Sequence, residues 1–99
     1  MKRLRLTPEA ELDVDGTHLW YHRQAPVLAV DFLASVDTCL ASIQRQPEAC
    51  ALVDRTMRRA LVRRFPYAVF YEVGSTEIMV YGVRHCARNP REWQRRRDG

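Results

Sequence analysis

Histidine and cysteine are the side chains in this sequence best suited to chemistry near neutral pH, and each occurs three times. His18 and His22 are four residues apart, so on a helix both could face one metal ion. Leu19 stands where the H-E-x-x-H motif carries its glutamate, and no third ligand is near in the sequence. Two solvated helix histidines are the simpler interpretation, and we predict neither a metal nor another cofactor.

Cys86 lies among Arg84, His85 and Arg88, and cationic neighbours lower the pKa of a thiol and favour its reactivity. A catalytic thiol also needs an orienting group, which no motif here supplies, so we interpret Cys86 as an ordinary surface or half-buried cysteine. Three cysteines without a C-x-x-C pair fit neither a disulfide framework nor a zinc cluster. This usage predicts a reducing, cytoplasmic environment.

His85 is the candidate for acid–base chemistry. Metal-free RNA cleavage needs a base for the 2′-hydroxyl, an acid for the leaving oxygen and cations on the phosphate. Arginine holds its proton too tightly to be that base. Because the one lysine is Lys2, far along the chain, His85, a carboxylate or a tyrosine would have to serve. A histidine that only hydrogen-bonds the core or a helix end is the competing interpretation.

The charge is divided unevenly along the chain. Of its 16 basic residues fifteen are arginines, and residues 1–54 and 55–99 carry net charges of −3 and +7. A basic half predicts a polyanionic target or an acidic partner, and an arginine-rich solvated surface is the alternative. Tyr67, Tyr71 and Trp93 could stack on bases, although the two strand tyrosines are better explained as core residues.

Two helices precede the basic half. Lys2 to Leu6 alternates as a short strand does, and Thr7 with Pro8 supplies the cap and first position of a helix. Pro26 opens a second helix, which Pro47 closes. Phe32, Val36, Leu40 and Ile43 recur along it at helical spacing, so the two helices should form an αα-hairpin.

The second half of the sequence is predicted to form β-strands. Met57 to Val62 is a candidate edge or one-sided strand, Tyr67 to Val73 is rich in β-formers, and Ile78 to Val83 completes a hairpin with it. Asn89 predicts a short C-terminal helix, with a frayed end over residues 94–99. The predicted fold is α+β, in the order β-α-α-β-β-β, with the αα-hairpin packed on a small antiparallel sheet.

Length and hydropathy limit the remaining classes. Ninety-nine residues predict a single domain spanning residues 1–99. The segment Met1–Arg5 is basic but leads into Thr7 and Pro8 rather than into an apolar stretch, so no signal peptide is predicted. No uninterrupted apolar run approaches the ~18 residues of a membrane span, and we predict no membrane association.

Two segments carry a family resemblance. Arg58 to Tyr71, which reads RRALVRRFPYAVFY, resembles a motif of the RelE/ParE toxin superfamily of type II toxin–antitoxin systems, also called plasmid stabilisation proteins. Val80 to Trp93, with its His-x-x-Arg-Asn-Pro element, resembles the closing segment of that family. The resemblance implies the β-α-α-β-β-β fold and a cognate antitoxin that wraps the toxin with a helix or an added strand. That antitoxin is acidic where it binds.

The superfamily divides by target: RelE-like members cleave mRNA on the ribosome, whereas ParE-like members bind DNA gyrase. Ala68 stands where nuclease members carry an arginine, Cys86 is near a second such position, and Trp93 is the nearest aromatic to their C-terminal tyrosine. The resemblance therefore favours a bacterial ParE-like toxin that inhibits growth without catalysis. The alternatives are a ribosome-dependent mRNA endoribonuclease using His85, or a diverged, inactive interaction module.

The same resemblance, with the charge distribution, assigns the contacts with target or antitoxin. These residues are Arg64, Tyr67, Arg84, His85, Arg88, Arg91 and Trp93.

Overall fold

The computed structural model describes residues 1–87 and 95–97. Its helices are α1 (Pro8–Gln24) and α2 (Pro26–Arg45), and its strands are β1 (Arg3–Leu6), β2 (Leu52–Asp54), β3 (Met57–Leu61), β4 (Tyr67–Val73) and β5 (Glu77–His85). Residues 95–97 are helical, which confirms a short C-terminal helix where a frayed end was predicted. The predicted helix start at Asn89 lies outside the described residues.

The two helices begin where the sequence predicts. The Thr7 side chain accepts a hydrogen bond from the Ala10 amide at 3.1 Å and caps α1, whose first residue is Pro8. Ala25 is the single residue between the helices and is extended (φ −165°, ψ 126°), as expected immediately before a proline. The resulting αα-hairpin confirms the prediction.

The five strands form one sheet in the order β1-β5-β4-β3-β2. β1 pairs with β5 in parallel, whereas the other three pairs are antiparallel, so the predicted antiparallel sheet has a parallel edge. β3 was predicted as an edge or one-sided strand. It is an interior strand, because β2, which the sequence did not predict, pairs with the edge of β3 that faces away from β4.

The hairpin packs on one side of the sheet, which we call the helix side. Phe32, Val36 and Ile43 of α2 are buried there against Val69 and Tyr71 of β4. The opposite side, the outer side, carries a smaller buried cluster of Met57, Ala68 and Phe70, with Tyr81 beside it. The alternation predicted for β4, with Phe70 opposite its neighbours, is confirmed.

By length and composition α2 is long and apolar enough to cross a membrane. The core helices of folded domains meet the same criterion. Three of its large apolar side chains, Phe32, Val36 and Ile43, are buried against the sheet, so core packing explains part of its apolar character. Val27, Leu28 and Val30 of the same helix are exposed.

Candidate functional site

The predicted residues Tyr67, Arg84 and His85 line one groove of about 580 Å³. It lies between α1 and the adjoining ends of β4 and β5, with Trp20 and Pro66 also in its walls. We call this surface the α1 groove. Its convergent aromatic and cationic side chains match the residue types that dominate binding energy at protein interfaces.

A cluster of aromatic rings packs between the α1 groove and the core. The Tyr21 ring contacts Phe32 and Phe65 at centroid distances of 5.5 and 5.2 Å. Tyr67 packs edge-on against both Phe32 (5.5 Å) and His85 (5.3 Å). Burial, and to a smaller degree the neighbouring Tyr67, raises the pKa of Tyr21, so its phenol stays neutral at physiological pH. These rings fix the floor on which the groove is built.

A β-bulge in β5 decides which side chain faces Tyr67. Phe70 pairs with Gly82 and Tyr71 with Val80, so Tyr81 is an extra residue between them. Regular alternation from Val80 would put Gly82 and Arg84 on the helix side. The bulge instead places Val83 in the main core and pairs His85 with Tyr67.

The His85 ring is held by the backbone. The Ala87 amide donates a hydrogen bond to His85 Nδ1 at 3.1 Å. Because Nδ1 accepts this bond, the neutral ring carries its proton on Nε2. In this arrangement the Nδ1 lone pair is occupied by the backbone.

Arg84 belongs to a partly buried ion cluster. Its Nη1 lies 3.1 Å from Asp13 Oδ1, and Arg96 grips both oxygens of the same carboxylate at 2.7 and 3.2 Å. The Val83 amide also donates to Asp13 Oδ2 at 3.0 Å. Arg84 was predicted as a binding residue; the structure shows that it is paired with Asp13, a carboxylate that it shares with Arg96.

Arg64 does not join the other predicted residues. It lines a separate cavity of about 610 Å³ between α2 and β3. Arg88, Arg91 and Trp93 lie outside the described residues, so their predicted contacts stay predictions. The seven residues singled out from the sequence therefore do not form one site in the part of the chain described.

The outer side of the sheet has an apolar cluster around Ala68, the position at which the resemblance to nuclease members predicts an arginine. Ala68 is fully buried there with Met57 and Phe70. Next to them the Tyr81 hydroxyl donates to Glu72 Oε1 at 3.1 Å, and burial followed by the Glu72 charge raises the pKa of Tyr81. Arg97 Nη2 lies 3.3 Å from Asp54 Oδ2, which closes this side with an ion pair.

The other candidate ligands and nucleophiles remain apart. The rings of His18 and His22 are 6.3 Å apart on α1, and residues 1–87 and 95–97 contain no group of three side chains that could hold a metal. Cys86 is exposed with a free thiol. The free thiol of Cys39 is buried, and burial raises its pKa to about 11, which makes it unreactive.

Sequence reasoning missed two residues of this region. Asp13 was not distinguished from the other acids of α1, although its spacing from Ala10, Thr17 and Tyr21 puts it near the packed face. Trp20 is 53% exposed at the wall of the α1 groove. A tryptophan beside the buried stripe rather than in it was the available signal.

The chain matches the family model described as the ParE toxin of the type II toxin–antitoxin system parDE over residues 4–90. A solved structure from the chromosomal ParDE toxin–antitoxin system of P. aeruginosa has a similar fold, with a TM-score of 0.76 at 19% identity. The alignment covers 86% of this chain and 96% of that one. No curated protein matches the sequence.

Proposed function

Because the chain belongs to the ParE toxin family of type II toxin–antitoxin systems, we propose that it inhibits bacterial growth by binding DNA gyrase. We further propose that it acts in the cytoplasm and that a cognate antitoxin neutralises it. The predicted gyrase contact is the α1 groove, where Trp20 and Tyr67 provide aromatic contacts typical of protein interfaces, with His85 beside them.

One observation supports binding rather than catalysis. His85 was the candidate base for RNA cleavage, and its Nδ1 accepts a hydrogen bond from the Ala87 amide. The neighbouring cation Arg84 is paired with Asp13 rather than directed at a phosphate. A positioned base and free cations are both required for metal-free cleavage of RNA. In this groove His85 Nδ1 is engaged by the backbone and Arg84 is engaged by a carboxylate, which favours binding over catalysis.

The test is a supercoiling assay with purified gyrase, together with induction of the chain in cells. A binding inhibitor should block supercoiling at a ratio near one toxin per gyrase, and induction should cause a loss of supercoiling and DNA-damage signalling. Rapid translation arrest with cleaved mRNA would show a ribosome-dependent nuclease instead. Absence of any effect on growth or supercoiling would identify a diverged interaction module and overturn the proposal.

His85→Ala separates the binding and nuclease mechanisms further. Loss of one imidazole contact should weaken gyrase inhibition by less than about tenfold, which corresponds to about 1.4 kcal/mol. A nuclease that used His85 as its base would lose about 10²–10⁴-fold in cleavage rate. His22→Ala, an exposed histidine of α1 that does not line the groove, is the matched control.

The antitoxin can be sought in the neighbouring reading frame. A short gene for an acidic protein next to this one should restore growth when both are expressed together. If the neighbouring product leaves growth inhibited and does not co-purify with this chain, it is not the antitoxin.

A further inference from the structure

Two of the three cysteines lie in the wall of the cavity between α2 and β3, away from the α1 groove. Cys39 is on α2, and Cys50 is in the segment of residues 46–51 that connects α2 to β2. Both thiols are free. Cys50 also packs against the buried cluster to which Cys39 belongs, so the two thiols share one wall of the cavity.

The Tyr71 phenol lies beside both thiols. Its hydroxyl donates to the Pro47 carbonyl at 2.8 Å. Burial raises the pKa of Tyr71, and a hydrogen bond with the Cys50 thiol and the nearby Cys39 raise it further. The hydroxyl therefore stays protonated at physiological pH, and the two sulfur atoms adjoin the same buried ring.

The segment that carries Cys50 is held at three backbone carbonyls. Arg58 Nη1 donates to the Glu48 carbonyl at 3.1 Å and to the Cys50 carbonyl at 2.6 Å. Together with the bond from Tyr71 to Pro47, these contacts keep the segment beside α2. The segment is neither helix nor strand, so its backbone can adjust to the Cα separation of less than about 7 Å that a disulfide requires.

The two thiols differ in their access to solvent. Cys39 is 9% exposed, whereas Cys50 is half-buried, so a dissolved oxidant reaches Cys50 first. Burial raises the pKa of Cys39 to about 11, and its reaction therefore depends on a partner held next to it, which raises the effective concentration of the thiol. An accessible cysteine beside a second, resolving cysteine is the arrangement typical of redox-sensing proteins.

We propose that Cys39 and Cys50 form a reversible disulfide when the folded chain meets a peroxide. The Cys50 sulfur attacks one peroxide oxygen, the O–O bond breaks, and a sulfenic acid and one water form. The Cys39 sulfur then attacks the Cys50 sulfur, the S–O bond breaks, and hydroxide leaves with the Cys39 proton as a second water. The two thiols lose two electrons in all, and the peroxide is reduced to water.

The disulfide ties α2 to the segment before β2 and closes a loop over residues 39–50. Disulfides inside cells are mostly transient, which agrees with a pair that is reduced at rest and oxidised under peroxide stress. The inference concerns a covalent modification of this cavity wall and does not depend on gyrase binding.

The test uses the full chain with Cys86→Ala, in which Cys39 and Cys50 are the remaining cysteines. The folded variant is treated with hydrogen peroxide, and mass spectrometry of its peptides without reductant identifies the linkage. We expect a monomer that is lighter by about 2 Da, with the peptides of Cys39 and Cys50 joined. Dithiothreitol should restore both thiols. The oxidised form should unfold at a higher urea concentration than the reduced form, because the disulfide constrains the unfolded chain.

Cys50→Ser combined with Cys86→Ala is the matched control. It removes the half-buried thiol and leaves the core, including Cys39, unchanged. Loss of the Cys39 thiol to peroxide should be at least tenfold slower in this control than in Cys86→Ala, because solvent does not reach Cys39 and no oxidised neighbour is present.

Four outcomes would overturn the proposal. They are dimers linked through Cys50, a sulfenic or sulfinic acid at Cys50 without a crosslink, two free thiols after treatment, and equal rates of Cys39 loss in the two variants. All are read on the purified chain, so a chain that fails to inhibit gyrase or growth contradicts the proposed function and leaves the disulfide proposal intact.

Discussion

At the scale of single residues, Asp13 joins segments that lie far apart in the sequence. Its carboxylate accepts bonds from the Val83 amide, Arg84 and Arg96, and only 8% of its side chain is exposed. Gly82 permits this arrangement, since a Cβ there would lie 3.0 Å from Arg96 Nη1. One acidic side chain therefore fixes the end of β5 beside α1.

Asp13→Ala should lower the free energy of unfolding by about 2–4 kcal/mol, because it leaves two guanidinium groups and one amide without their acceptor. Urea denaturation measures the change. Asp15→Ala, an exposed acid two residues further along α1, should change stability by less than about 0.5 kcal/mol. Equal effects of the two substitutions would contradict the role assigned to Asp13.

Cys39 gives the protein a defined response to alkaline pH. Burial, with a smaller effect of Cys50, raises the pKa of its thiol from 9.0 to about 11. A group whose pKa is higher in the folded chain stabilises the fold fully below pH 9 and loses that contribution as pH rises towards 11.

Between pH 9 and 11, wild-type stability should therefore fall by about 2 kcal/mol more than that of Cys39→Ala. Urea denaturation across the pH range measures the difference. Cys86→Ala, which removes an exposed thiol, should follow the wild-type profile. Parallel profiles for wild type and Cys39→Ala would contradict this prediction.

At the scale of secondary structure, the turn between β3 and β4 contains two arginines in different conformations. Arg64 has a φ of 69°, whereas Arg63 is not in the left-handed region. Arg64→Gly should therefore raise the free energy of unfolding by about 0.5–1 kcal/mol, and Arg63→Gly should lower it by a similar amount. Thermal or urea denaturation checks both, and a loss of stability in Arg64→Gly would show that the turn is not strained.

Local signals predicted most of the elements. Thr7 and Pro8 define the start of α1, Pro26 that of α2, and the alternation from Tyr67 to Val73 defines β4. β2 escaped prediction because three residues, Leu52–Asp54, are too short to show a period. Its strand geometry depends on pairing with β3, which is a tertiary contact.

The composition of the site was less predictable than the fold. Tyr67 and His85 could be identified from a hairpin that ends near both, and the structure pairs them. The Asp13–Arg96 contact joins residues separated by 83 positions, and no periodicity reports such a pair. The bulge at Tyr81 is equally invisible, although it decides that His85 rather than Arg84 lies beside Tyr67.

At the scale of the whole molecule, the cavity with aromatic walls lies beside α1, and the cavity lined by Arg64 lies between α2 and β3. Trp20 belongs to the α1 groove, and 53% of its surface is exposed. Trp20→Ala should lower the affinity for gyrase at least tenfold while changing the free energy of unfolding by less than about 1 kcal/mol. Val30→Ala, 65% exposed on α2 and outside the α1 groove, should leave the affinity unchanged. Binding to immobilised gyrase measures both, and equal losses would contradict a localised contact.

The net charge of +4 does not distinguish arginines that are paired within the fold from arginines that are exposed. Arg84, Arg96 and Arg97 are paired internally with Asp13, Asp54 and Glu72, so these arginines chiefly stabilise the fold. The basic half that predicted a polyanionic target is thus partly structural. Its exposed cations in the described region include Arg63 and Arg64, which line the cavity between α2 and β3.

The parallel pairing of β1 with β5 also has a consequence for the order of folding. Its register joins Arg3 to Glu77 and Leu6 to Val80, and the Asp13–Arg96 contact joins residues 83 positions apart. Contacts between such distant segments form slowly, because the chain between them must be ordered first. The edge of the sheet beside α1 should therefore close last, after the antiparallel hairpin of β4 and β5 has formed.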